Sequence, residues 1–494
     1  MTALSTSAST EQHSLRFVIM GTGLSGIMAA IKLEAAGYSD IVIYEKADKP
    51  GGTWRDNTYP GIACDIPSHF YSYSFAPNPE WSARYASGGE IQRYIENVMH
   101  RYGVDKRIRF NEEIVRCEFD NGRWQIETRN GHRDVADVVI AATGVIHHPN
   151  SPDIPGIDRF AGALFHSARW NHDAHLDDRR IGVIGTGSSS VQIVSALVKL
   201  ANKLSLFQRT AQWILPQENV PYTDAEKMRF RDDPQAIRNL RTMLQRRFTE
   251  TVANAFVAVG SAHYNAIEAA CIGNLESQVI DPVLRERLRP NYKVACKRLV
   301  VSPDFYQAIQ RPNAELVTDR IQSIEPTGVR TSDGRLHELD VLILATGFQT
   351  HNFMRPIDVI GRNGMRLNDA WSPRPRAYLT VAVPQFPNLF MLNGPASPIG
   401  NYPLIEVAEL QMNYVLRLIE RLRAKQCHEI APTEAATAHY DRERIDAAKN
   451  TSWATGCQSW YIDADGVPAV WPWTIEKFYA DMAAPNLKDY EMVA

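Results

Sequence analysis

Two glycine-rich turns, each between a strand-like apolar run and a helix-like segment, and one charged, strand-poor stretch from about 217 to 296, predict an α/β fold. The expected architecture is two Rossmann-like dinucleotide-binding domains, with a helical insertion in the second. A length of 494 residues suits two or three domains with large cores. With 44% apolar and 22% charged residues, the composition is that of a globular protein, not a disordered or fibrous one. Lysine and arginine number 53 against 56 acids, a net of -3, so charge points to neither nucleic acid nor an anionic membrane surface.

The first unit begins with the apolar run Phe17 to Met20 and the turn Gly21-Thr-Gly23-Leu-Ser-Gly26. Ile27, Ala30, Ile31 and Glu34 follow at helical spacing up to Gly37, and Ile41 to Tyr44 forms a second strand ending at Glu45. The glycines let backbone approach a pyrophosphate at a helix N-terminus, and the acid 24 residues after Gly21 suits ribose hydroxyls.

The second unit runs from Ile181 to Ile184 through Gly185-Thr-Gly187-Ser188-Ser189-Ser190 into the helix-like Val191 to Lys199. After the next strand, Leu204 to Phe207, Arg209 and Thr210 stand where an NAD site carries an acid, which points to a ribose 2′-phosphate. One bare and one phosphorylated ribose suggest FAD and NADPH held face to face. Asp137-Val-Val-Ile-Ala-Ala-Thr-Gly144 and Asp340-Val-Leu-Ile-Leu-Ala-Thr-Gly347 repeat one another, as expected where a chain passes between two nucleotide domains. The expected division is 1–144 with 348–494 for FAD, 145–216 with 297–347 for NADPH, and 217–296 for the helical insertion, in which Gln235 to Phe248 and Ala266 to Cys271 favour helix.

Six cysteines, Cys64, Cys117, Cys271, Cys296, Cys427 and Cys457, lie far apart without a CxxC pair, fitting neither a disulfide framework nor a zinc site. The first fourteen residues are polar, without an export-signal pattern, and no run of eighteen apolar residues occurs. These features predict a cytoplasmic protein in a reduced compartment, with no metal, membrane or protein partner.

Phe160-Ala-Gly162-Ala-Leu-Phe-His166-Ser-Ala-Arg-Trp170 resembles the fingerprint of the Baeyer–Villiger monooxygenases, although Asn171 replaces the usual proline or aspartate. Gly51-Gly52-Thr53-Trp54, four residues, Tyr59-Pro60-Gly61, three residues and Asp65 resemble the longer signature of the type I enzymes. The resemblance extends from about residue 15 into the C-terminal region and includes Lys297-Arg298. It implies that NADPH reduces FAD, that the reduced flavin forms a C4a-peroxide with dioxygen, and that one oxygen enters beside a ketone carbonyl to give an ester or lactone.

Residue by residue, the resemblance implies that Arg298 is the active-site cation stabilising anionic oxygen, with Asp65 orienting it. Lys297, Arg209 and Thr210 match the grip on the 2′-phosphate. Gly52, Thr53 and Trp54 match cofactor-binding positions, where Trp54 packs beside the isoalloxazine or lines the entry, or is simply core. His166 and Trp170 match domain-coupling positions and not proton transfer. Asn393-Gly394-Pro395 resembles a late flavin-domain turn. Without the resemblance, Arg298 and Lys297 read as surface cations, and Asp65 before Ile66-Pro67 as a turn residue.

The alternative is an N- or S-oxidising flavin monooxygenase, against which the Gly51 to Asp65 signature argues; a sulfide remains an expected side substrate. A redox reductase would carry a CxxC, a hydrolase a GxSxG elbow, and a vestigial nucleotide-binding scaffold would lack Asp65, Lys297 and Arg298. The pattern names no particular ketone, no oligomeric state, no place in or out of the pocket for Phe256 and Tyr264, and no role for Trp453, Trp460 or Trp471.

Overall fold

The computed structural model describes residues 15–494, so the polar first fourteen residues lie outside the described residues. Two five-stranded sheets, parallel throughout, organise the chain. The first has the order Leu389–Met391, Val138–Ala141, Phe17–Met20, Ile41–Tyr44, Ile108–Arg109. The second has the order Ala314–Val317, Lys203–Phe207, Arg180–Ile184, Val341–Leu344, Ala163–His166. Their central strands are unbroken apolar runs such as FVIM and VLIL because both sheet faces are covered.

The repeated Asp segments explain themselves in this setting. Val138–Ala141 and Val341–Leu344 each lie beside the strand that leads into a glycine turn. Asp137 accepts the Arg16 N–H at 2.7 Å, and Asp340 accepts the Arg180 N–H at 2.9 Å, so the same carboxylate pins the same edge in both units.

The region from 224 to 288 is helical: Asp224–Asp232, Pro234–Phe248, the π-turn Thr249–Ala253, Ala262–Gln278 and Pro282–Leu288. Its starts are written in the sequence. Thr223 and Glu226 form a reciprocal capping box, and Asp233-Pro234 and Asp281-Pro282 each place a capping acid before a proline. Arg241 fastens this region to the first unit. It donates to the carbonyls of Phe70 at 2.9 Å and Ser72 at 2.7 Å and pairs with Glu406 on the helix Leu404–Arg423.

Two smaller sheets carry little sequence signal: Ile114–Asp120, Arg123–Thr128 and Arg133–Ala136 with Asp358–Ile360, and Ile321–Glu325, Gly328–Thr331 and Leu336–Glu338. Among the described residues, no helix is long and apolar enough to cross a membrane.

The cysteine reading needs correction. Cys296 and Cys457 form a disulfide across 161 residues of sequence, while Cys64, Cys117, Cys271 and Cys427 are free and buried. Spacing gave no sign of this bond, because the fold alone brings the two segments together.

Candidate functional site

Both glycine turns are built as cradles. Gly21 has φ +96°, and a Cβ there would lie 2.9 Å from the carbonyl oxygen of Ala142. A Cβ on Gly26 would lie 1.9 Å from the Gly21 oxygen, so only glycine lets the helix Leu24–Ala35 sit directly on the strand end. Gly23 and Gly52 face one another: a Cβ on Gly52 would come within 3.1 Å of the Gly23 Cα. Gly23 caps the helix without a side-chain acceptor, which leaves the Leu24 and Ser25 N–H groups facing an incoming anion, while the Gly26 N–H is bonded to the Gly23 carbonyl at 3.1 Å.

The second turn repeats the plan with one change. Gly185 has φ +117°, and its Cβ would meet the Ala345 oxygen at 2.3 Å. In place of a third glycine, the Ser190 hydroxyl donates to the Gly185 carbonyl at 2.6 Å. Around Gly187 nothing lies within 4 Å of a built Cβ, so the N-terminus of the helix Ser188–Leu197 opens onto free space. Donors, dipole and space together fit a phosphate-bearing cofactor at each turn.

Glu45 departs from the simple expectation. Its carboxylate accepts from Thr22 N at 2.9 Å, Thr22 Oγ1 at 2.7 Å and Ala47 N at 3.0 Å, and pairs with Arg55 at 2.9 Å. Four donors thus occupy its lone pairs, so a ribose hydroxyl would have to displace one, most simply the rotatable Thr22 hydroxyl.

A cavity of about 2490 Å³ gathers most of the remaining candidates. Thr53, Trp54, Asp65, Gly185, Gly187, Ser188, Ser189, Arg209, Thr210, Lys297 and Arg298 all line it; Gly21, Gly23, Gly26, Glu45 and Gly52 do not. Trp54 is largely buried and donates to the Tyr71 hydroxyl at 3.3 Å while still reaching the cavity. Phe256 lines the cavity and Tyr264 does not; the Tyr264 hydroxyl donates to the Val294 carbonyl at 3.0 Å.

The charges in the cavity are arranged in two groups. Arg298 pairs with Asp65, whose negative charge keeps the guanidinium firmly protonated against burial, and its side chain is a third exposed. Lys297 lies 4.9 Å from the Tyr292 ring centroid, and burial and the nearby charge of Arg209 both lower its pKa. Among the described residues these two neighbouring cations share no acid, which makes them a ready receptor for a dianion.

The two fingerprints meet where the units join. A Cβ on Gly61 would lie 2.8 Å from the Gln192 carbonyl oxygen, and the Tyr59 hydroxyl donates to the Gln192 side chain at 3.0 Å. Gln192 in turn donates to the Ala63 carbonyl at 3.0 Å. Trp170 packs edge-on against Phe165 and lies 6.4 Å from Tyr59. His166 accepts from the Ala168 N–H at 3.0 Å, and burial lowers its pKa, so a neutral ring serves the backbone. Sequence reasoning missed Tyr461, whose hydroxyl lies within hydrogen-bond reach of Arg298. Its only signal is a cluster of late aromatic residues.

Two glycine cradles, the second opening onto a cavity that also holds the Arg298–Asp65 pair, fit a two-cofactor oxygenase class. The chain belongs to the flavin-binding monooxygenase-like family, whose model matches residues 14–358, and within it to the Baeyer–Villiger monooxygenases. It is 47% identical over 96% of its length, and 95% of the relative's, to an uncharacterized monooxygenase of Mycobacterium tuberculosis. A Baeyer–Villiger monooxygenase of Streptomyces coelicolor is 36% identical, with 97% of this chain and 93% of the relative covered. The crystal structure of cyclohexanone monooxygenase from Rhodococcus sp. Phi1 bound to NADP+ superposes with a TM-score of 0.86 at 29% identity, covering 97% and 99% of the two chains.

Proposed function

We propose that Arg298, held by Asp65, is the active-site cation of a Baeyer–Villiger oxygenation in the cavity, and that the substrate is a small-molecule ketone. The activity is insertion of one oxygen atom of dioxygen beside a ketone carbonyl, with FAD and NADPH as cofactors. The N- or S-oxidising alternative is not favoured by these relatives. Bound FAD, reduced by NADPH, supplies the activation of dioxygen.

The chain's own residues do the rest. Gly21, Gly23 and Gly26 receive the FAD pyrophosphate, Glu45 its ribose, and Gly52, Thr53 and Trp54 border the flavin. Gly185, Gly187, Ser188 and Ser189 receive the NADPH pyrophosphate, with Arg209, Thr210 and Lys297 around the 2′-phosphate. Arg298 stabilises negative charge developing on the reacting oxygens, and its pairing with Asp65 keeps that charge beside the cavity. Residues 1–144 with 348–494 form the FAD part, 145–216 with 297–347 the NADPH part, and 217–296 the insertion over the cavity. A cytoplasmic location, where NADPH is supplied, completes this reading.

The supporting observation is that the Arg298–Asp65 pair and the Lys297–Arg209 cations open onto the same cavity. The test is incubation with NADPH, isotopically labelled dioxygen and a panel of cyclic ketones, linear ketones and sulfides. An ester or lactone with one labelled oxygen is expected; labelled sulfoxide alone would overturn the ketone reading. Arg298→Ala is expected to keep NADPH-driven flavin reduction and lose ester. Lys297→Ala is expected to raise KM for NADPH far more than for NADH, and an equal rise would remove Lys297 from the phosphate site.

A further inference from the structure

Arg298 has one carboxylate partner, and a guanidinium carries five N–H donors. A single ion pair leaves such a fork free to pivot. The second restraint comes from the far end of the chain. Tyr461 is 1% exposed, and its hydroxyl proton is directed to the Gly400 carbonyl at 3.4 Å. That direction leaves the phenol oxygen able to accept from the Arg298 guanidinium, which lies within its reach.

We propose that Tyr461 is the positioning residue for Arg298, its hydroxyl fixing the guanidinium that Asp65 neutralises, in a triad of Asp65, Arg298 and Tyr461.

The surroundings hold the ring in place. The disulfide Cys296–Cys457 ties the segment carrying Tyr461 to the one carrying Arg298, two residues from the arginine and four from the tyrosine. Ser452 donates to the Ala295 carbonyl at 3.3 Å, and Trp453, Tyr461 and Val470 share one apolar cluster with Val294 and Leu299. Trp460 packs on the ring at 4.1 Å and Trp453 edge-on at 6.0 Å. A Cβ on Gly400 would lie 3.3 Å from the ring of Tyr461, so glycine is what lets the carbonyl reach the phenol.

This inference rests on Arg298 being the active-site cation, so the test separates the two. Tyr461→Phe keeps the ring and deletes only the hydroxyl. With NADPH and the ketone from the panel that gives most ester in the native enzyme, it is expected to cut ester formed per NADPH about ten-fold, with hydrogen peroxide making up the difference. KM for NADPH and the rate of flavin reduction are expected to stay unchanged, and the melting temperature to fall by no more than about 3 °C. In an Arg298→Lys background, which already lacks the fork, Tyr461→Phe is expected to add less than a two-fold loss. A crystal structure of Tyr461→Phe is expected to show Arg298 in more than one rotamer.

Native coupling in Tyr461→Phe while Arg298→Ala loses ester would overturn the positioning role alone. Native coupling in both would overturn the reading of Arg298. A full ten-fold loss added in the Arg298→Lys background, or a single unmoved Arg298 rotamer, would also overturn the proposal. Should Tyr461→Phe misfold, Gly400→Ala displaces the phenol from the other side and is expected to give the same loss of coupling; unchanged coupling there would refute it.

Discussion

Replacing Gly187 by alanine isolates the space above the second cradle from the folding of the protein around it. Gly187 has φ -73° and ψ -174°, extended backbone that any residue adopts, and a Cβ there meets nothing within 4 Å. The folded protein therefore loses nothing. The unfolded chain loses freedom, so the variant is expected to be as stable as the native protein or more stable by about 0.4–1 kcal/mol. Under the proposed function, a cofactor phosphate held by the Ser188–Leu197 helix would occupy that same space. Intrusion of a methyl group into a close-packed contact costs about 1–3 kcal/mol, which corresponds to a rise in KM for NADPH of roughly five- to 150-fold. Melting curves, bound flavin and initial rates at varied NADPH test this together. Unchanged stability and flavin content with a raised KM is the expected result. An unchanged KM would refute the placement of the pyrophosphate, and a melting temperature lowered by several degrees would refute the reading of the free space.

Gly26→Ala is the opposite case. Its Cβ would lie 1.9 Å from the Gly21 oxygen, so strand and helix must separate by about 1.5 Å to reach ordinary contact at 3.4 Å. Loss of bound flavin and a lowered melting temperature are expected; full flavin occupancy at native stability would contradict the packing argument. His69 predicts a pH dependence. Burial among Tyr222 and Phe230 pushes its imidazole down to about 4, with neither ring nitrogen hydrogen-bonded. The unfolded state takes up a proton near pH 6.5 and the folded state only near 4, so stability is full above 6.5 and is lost as pH falls toward 4, by about 3 kcal/mol at pH 4. His69→Phe is expected to flatten denaturant-derived stability against pH by that amount over this window, and parallel curves for variant and native protein would show that His69 is not responsible.

The parallel strands and both glycine turns were legible because continuous apolar runs broken by glycine leave few other readings. Ile181 to Ile184 and Leu204 to Phe207 reappear as Arg180–Ile184 and Lys203–Phe207. Ala266 to Cys271 proved to be the middle of Ala262–Gln278, whose ends the pattern blurs because polar and apolar residues mix on all its faces. The small sheets were missed: along Ile114–Asp120 only Ile114 and Cys117 are buried, a spacing of three that does not read as a strand, and charged residues lie among them. Within the candidate site, local motifs led to residues on turns. What spacing does not encode is contact between distant segments, such as Cys296 with Cys457 or Arg298 with Tyr461.

The same distinction shows what the uncharged residues of the two signatures do. Tyr59, Gly61 and Trp170 carry no charge, yet they lie at the joint between the two cofactor-binding units. The Cβ missing from Gly61 would press on the Gln192 backbone at 2.8 Å, and Gln192 belongs to the helix that begins at Ser188. Any other residue at 61 would push the second cradle away from Asp65, only four residues further along. Asp65 in turn holds Arg298, next to Lys297 and the second cradle's cations. The signature therefore sets the spacing between the second cradle and Asp65, and under the proposed function hydride transfer and oxygen insertion both require that spacing to be held.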